Sequence, residues 1–227
     1  MSSVSLWIVP TDRPLPPDYD SILAPDEQSK AQRLHFPQDQ HRYRLMRTVL
    51  RRLLAQTLNC DPKKLRFSYS PKGKPTFKNP DVPIHFNISH SGDYGLIGIA
   101  QDQLIGVDLE LMQSKPNFIN LAQRFFAPSE NLWLTTKTAA EQQQIFYQFW
   151  TAKEAFLKAT GLGISGGLDR VIVSETLQQY ESLPEPYQVN HWQLLSQPFF
   201  DHYWGAIALN QTDAIPNSVK IQPYQWE

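Results

Sequence analysis

Asp108 and Glu110 stand two residues apart in GVDLE, interleaved with Val107, Leu109 and Leu111. On a strand, that alternation turns both carboxylates to one face and the apolar residues to the other. Two carboxylates sharing a face repel unless a cation or protons lie between them, and hard oxygen donors suit magnesium. The plainer alternative is the solvated face of an edge strand. Downstream, FWTAKEAFLK places Glu154 and Lys158 four residues apart on a helix, on the side that carries Trp150 and Thr151. As an exposed ion pair they would contribute only about 0.3–0.5 kcal/mol. Phe146, Tyr147, Phe149, Trp150 and Phe156 crowd the same stretch, and such apolar surroundings point to a cleft rim.

A third set is basic. Lys72 and Lys74 flank Gly73 in PKGKP, while Lys30, Arg33, Arg42, Arg44 and Arg47 fall on two early helical segments. Together they could hold a diphosphate and a further phosphate, although each alone is more often a solvated charge. Pro75 follows the lysine and the full glycine-rich spacing is absent, so GKPT is no P-loop. His90, between Ser89 and Ser91 in FNISHSG, follows a strand-like run. Serine beside histidine in sequence does not make a nucleophile, since such partners meet in space. The other histidines lack the HExxH spacing of a zinc site.

The elements that must position these groups alternate helix and strand. SLWIVP reads as a strand and DEQSKAQRLHF as a short helix with Asp26 and Glu27 in its first turn. From Gln38 to Leu58 the helical stripe is Met46, Val49, Leu50, Leu53 and Leu54, with Arg44, Arg47 and Arg51 on another face. RFSYS, HFNIS, YGLIGIA and LIGVDLE are strand-like. NFINLAQRFF and PSENLWLTTK read as short helices. AAEQQQIFYQFWTAKEAFLKAT reads as a long one, stopped by a left-handed cap at Gly161. VIVSET, HWQLLS, YWGAIALN and VKIQPYQW then read as antiparallel strands. The expected architecture is α+β, in two similar lobes of a small antiparallel sheet with packed helices, at residues 1–106 and 107–227. The letters themselves carry no tight repeat.

With 227 residues and 41 % hydrophobic content the chain can bury a substantial core. A net charge of −1 excludes a general polyanion binder, so nucleic acid is not an expected partner. Cys60 is the single cysteine, which excludes an internal disulfide; it is expected to be a small buried hydrophobe. No apolar run is long enough to span a membrane and no secretory signal opens the chain. A cytoplasmic monomer with no membrane partner is the expectation.

PKGKP, FNISHSG, GVDLE and FWTAKEAFLK, in this order and spacing, resemble the Sfp-type 4′-phosphopantetheinyl transferases from about Lys30 to Gly163. The combination of an NISHS turn, an acidic strand pair and a WxxKExxxK helix is what makes the resemblance specific. It implies two similar lobes with the active site in the cleft between them. The implied reaction moves the phosphopantetheine arm of coenzyme A to a serine of an apo acyl, peptidyl or polyketide carrier protein, releasing 3′,5′-adenosine bisphosphate. The implied cofactor is magnesium, on Asp108, Glu110 and Glu154, with Glu154, Lys158 and Asp108 as the catalytic set. Lys158 would meet the coenzyme A diphosphate, Lys74 the nucleotide-side phosphates, and Ser89 and His90 the coenzyme's phosphates, with His90 and the early basic helix that carries Lys30 near the 3′-phosphate. Where the family carries a first lysine on the early helix, this chain has Glu27, with Arg33 nearby. A module that only binds coenzyme A or a carrier protein, and a metal-dependent phosphohydrolase, are the alternatives. The C-terminal third carries no matching motif.

Overall fold

A computed structural model describes residues 4–78, 83–113, 118–210 and 220–226 of the chain. The first half runs β1 (Val4–Pro10), α1 (Tyr19–Ile22), α2 (Pro25–Gln32), α3 (Pro37–Leu58), β2 (Phe67–Tyr69), β3 (Pro75–Phe77), β4 (Ile84–Ser91) and β5 (Tyr94–Gln101). The second runs β6 (Ile105–Leu111), α4 (Phe118–Phe125), α5 (Pro128–Thr135), α6 (Ala139–Thr160), β7 (Ile172–Val173), β8 (Tyr180–Ser182), β9 (Trp192–Phe200), β10 (Tyr203–Asn210) and β11 (Lys220–Pro223).

The two halves repeat one plan. β1, β5 and β4 form an antiparallel sheet in that order, and β6, β10 and β9 form another. Each sheet takes its first strand before a helical stretch and a hairpin after it, and each stretch contains a helix of 22 residues, α3 or α6. The letters do hold a short repeat after all: APDE at Ala24–Glu27 and APSE at Ala127–Glu130. In both copies proline opens an eight-residue helix, where its missing N–H costs nothing. In both, the glutamate reaches back to accept the alanine N–H at 2.9 Å. Each glutamate is then buried against a cation of the long helix. Glu27 pairs with Arg47 and Arg51 at 2.5 and 2.6 Å, and Glu130 with Lys153 at 2.6 Å.

Glu27, read from the sequence as standing where the family carries a lysine, is fully buried as the counter-ion of α3. Arg47 and Arg51, expected on a basic outer face, are buried with it. Cys60 is also corrected: it is exposed, because Asn59 adopts a left-handed conformation at the end of α3 (φ 48°) and turns the chain outward.

The sheets pack face to face. Leu6, Ile8 and Leu96 from the first meet Val107, Leu109 and Ile207 from the second in one buried cluster. Met46, Val49, Leu50 and Leu53 of α3 cover the far side of the first sheet against Phe86 and Ile97. Phe149, Ala152 and Phe156 of α6 pack with Trp192 and Ala206 of the second. β11, expected antiparallel, pairs parallel with β1, Leu6 opposite Ile221, so the first sheet draws on both halves of the chain. Among the described residues no helix is long and apolar enough to cross a membrane.

Candidate active site

Gly106 decides how close the long helix comes to the acidic strand. A Cβ built there would lie 1.9 Å from the Ala155 carbonyl oxygen and 2.8 Å from the Ala159 Cβ. Only glycine lets α6 rest on β6 at this depth. By strand alternation Asp108 and Glu110 share the face of Gly106, while Val107 and Leu109 enter the core between the sheets. The carboxylates therefore face α6 as they leave the strand. Asp108 is 2 % exposed, which removes the reading of a solvated edge.

Lys158 leaves α6 to meet them. Its Nζ lies 2.5 Å from Asp108 Oδ1 and 3.0 Å from Ser89 Oγ. The plainer alternative, an exposed ion pair of Lys158 with Glu154 along the helix, gives way to this contact across to β6. Burial pulls the ammonium's pKa down, but Asp108, with Glu154 and Glu110 behind it, outweighs burial and raises it. Glu154 is 7 % exposed, and its pKa is pushed up to about 7 by burial and by the charge of Asp108, against Lys158.

The fourth element is β4, which lies along the open edge of β6. Asn87 Oδ1, Ser89 Oγ and Ser91 Oγ accept the backbone N–H groups of Val107, Leu109 and Leu111 at 2.9, 3.2 and 3.1 Å. The two serines also donate, Ser89 to Asp108 Oδ1 at 2.7 Å and Ser91 to Glu110 Oε2 at 2.8 Å. NISHS is thus a row of side chains that joins the two sheets where the carboxylates emerge. Ser89, expected against phosphates, sits inside this seam and is 5 % exposed.

The positive groups divide. His90 points away from the seam and is exposed; the loss of solvation there, then Arg42 and Lys158, lower its pKa, opposed by Asp39 and Asp108. Arg42, one of the early-helix basic residues named from the sequence, donates to the Gly92 carbonyl in the β4–β5 turn at 3.0 Å and leaves its buried Nε without a partner. Lys74 donates to the Ala159 carbonyl, and Lys72 to the Leu162 carbonyl and, at 3.0 Å, to Ser165 Oγ. Lys74 therefore caps the C-terminal end of α6, where the helix dipole favours cations, and Lys72 holds the loop that follows. Gly161 takes the expected left-handed cap (φ 77°) beneath Lys74. Lys30 is exposed on α2, over the rings of Tyr43 and Tyr69 at 5.6 and 5.9 Å. It joins none of the carboxylate contacts above.

Among the described residues, no three acidic, histidine or cysteine side chains already converge on a metal position. The donor set nonetheless fits magnesium. Asp108 Oδ2 and Glu154 Oε1 are buried oxygens with no hydrogen-bond partner, an arrangement that is costly without a cation. Cavities of about 640 and 510 Å³ lie elsewhere, around Arg52 and Tyr224 and around Phe199 and Trp226.

Carboxylates and a lysine gathered at a seam between two duplicated α+β units define a class. Residues 13–102 match the model of the 4′-phosphopantetheinyl transferase N-terminal region, and residues 104–208 that of the 4′-phosphopantetheinyl transferase superfamily. The chain belongs to this family, in its Sfp-type form. It is similar to the 4′-phosphopantetheinyl transferase HetI of Nostoc sp., at 36 % identity over 71 % of this chain and 70 % of that one. It is 37 % identical to the 4′-phosphopantetheinyl transferase Sfp of Bacillus subtilis, over 70 % of each. The Synechocystis sp. protein slr0495, provisionally assigned the same activity, is 47 % identical over 97 % of this chain and 94 % of its own.

Proposed function

We propose that this chain is a magnesium-dependent 4′-phosphopantetheinyl transferase that moves the phosphopantetheine arm of coenzyme A to a serine of an apo carrier protein. The observation that carries the reading is the meeting of Lys158, Asp108 and Ser89 beside the unpartnered oxygens of Asp108 and Glu154. Asp108, Glu110 and Glu154 would hold magnesium, which neutralises negative charge on the diphosphate.

The remaining work falls to the chain's own groups. The carrier serine oxygen forms a bond to the β-phosphorus, the bond from that phosphorus to the bridging oxygen breaks, and 3′,5′-adenosine bisphosphate leaves with the electron pair. Charge spreads over the phosphate oxygens as this happens, and Lys158 supplies a fixed positive group to oppose it. Glu154 would accept the serine proton. Lys74 and His90, from separate segments, would orient the nucleotide end. The carrier belongs to fatty-acid, polyketide or peptide synthesis, and the enzyme acts as a cytoplasmic monomer.

Mass spectrometry of an apo carrier protein incubated with the chain, coenzyme A and magnesium tests this. Gain of one phosphopantetheine supports transfer. Hydrolysed coenzyme A alone indicates a phosphohydrolase, and an unchanged mixture a binding module.

A further inference from the structure

A hydroxyl has one proton to give. At Ser91 it goes to Glu110 Oε2 at 2.8 Å, while the oxygen receives the Leu111 N–H at 3.1 Å. Two residues earlier the unit recurs, with the Leu109 N–H to Ser89 and Ser89 to Asp108 Oδ1. In each, a backbone amide next to the carboxylate residue fixes the serine, and the serine fixes the carboxylate. Joining the sheets does not require the second half of this unit. Ser91 is only partly buried, so water could satisfy the Leu111 amide, and the bond from Ser91 to Glu110 is additional to what joining the sheets needs. We infer that Ser91 is a positioning residue for Glu110, as Ser89 is for Asp108, so that the NISHS strand orients the carboxylates that would hold the divalent cation.

This rests on the metal role proposed for Asp108 and Glu110, and the experiment separates the two ideas. Ser91→Thr keeps the hydroxyl and Ser91→Val removes it at almost the same volume, both being good strand formers. Manganese(II) affinity in the presence of coenzyme A is measured by calorimetry and by electron paramagnetic resonance, together with thermal midpoints. Outer-shell partners of metal ligands are typically worth about 10–100-fold in affinity, so Ser91→Val should weaken manganese binding by that factor while Ser91→Thr stays close to the wild type. At saturating magnesium, the KM for coenzyme A of Ser91→Val should match the wild type. Equal manganese affinity in the two variants, or a loss seen only in thermal midpoint or coenzyme KM, overturns the positioning role. If Asp108→Ala abolishes manganese binding while Ser91→Val keeps it, only this inference falls. If Asp108→Ala keeps it, the metal reading falls as well.

Discussion

The ammonium of Lys158 lies 2.5 Å from Oδ1 of Asp108, although fifty residues separate them. About 30 % of the lysine side chain is accessible against 3 % of the aspartate's, so the aspartate is fixed and the lysine can be approached from solvent. A charge that is held but reachable is what an anionic diphosphate needs. Lys158→Ala should lose transfer by about 10²–10³-fold, the usual cost of one charge-stabilising donor. Lys158→Arg should retain part of it, keeping the charge but not the point geometry. Steady-state kinetics on a carrier protein decide this; wild-type rates in both variants would return Lys158 to an ordinary ion pair.

Asp108→Asn and Glu110→Gln should each suppress transfer at any magnesium concentration tried. Asp108 is buried against Lys158 and Ser89, so a loss of stability accompanies its substitution. Circular dichroism must therefore show folded protein before the kinetic result is counted. Normal turnover by either folded variant rules out the site.

Glu154 makes stability depend on pH. Its folded pKa of about 7 stands above the ordinary 4.5, so the folded state binds this proton more tightly than the unfolded chain. The stability this contributes is complete below about pH 4.5 and is lost as pH rises through about 7, with Asp108, Glu110 and Lys158 as the charged neighbours. At 1.36 kcal/mol per unit the whole effect is about 3 kcal/mol. Glu154→Gln, permanently neutral, should flatten the fall in metal-free protein and have the higher thermal midpoint at pH 8, yet transfer nothing. Parallel melting curves for the two proteins from pH 5 to 8 would contradict this.

Glu27→Ala should destabilise the fold by about 3–5 kcal/mol, because it strands two buried guanidinium groups. The same substitution should leave the preference for coenzyme A over its dephospho form unchanged in the folded fraction. Chemical denaturation gives the first number and kinetics with both coenzymes the second. A change in preference without a change in stability would put Glu27 back at the ligand.

Loss of solvation, then Arg42 and Lys158, hold the exposed His90 below the usual histidine range, which disfavours its charged form in the free protein. A bound phosphate should bring a proton with it, making coenzyme A affinity fall as pH rises through the histidine's pKa in the complex. Dephospho-coenzyme A should bind more weakly and show less of this slope. His90→Ala should narrow the difference between the two. Equal discrimination in wild type and variant would leave His90 a turn residue.

Much of this site was legible in the letters. GVDLE had to be a strand with two carboxylates on one face, and FWTAKEAFLK a helix ending at Gly161, because side-chain periodicity and a left-handed cap are local matters. Order and spacing of the motifs were enough to place the chain in its family. What tertiary structure decided was which charges meet. Arg42, Arg47 and Arg51 are alike in sequence, but Glu27 claims the last two and leaves Arg42 beside the β4–β5 turn. Lys158 was as well spaced for Glu154 as for anything, yet Gly106 lets β6 in so close that Asp108 takes it. The alternating Asn87, Ser89 and Ser91 read as an ordinary polar strand face until β6 lies alongside with amides to satisfy. Periodicity is set by neighbours along the chain; the partner of a buried charge or amide is set by which segment packs against it, and that is fixed only when the two sheets close.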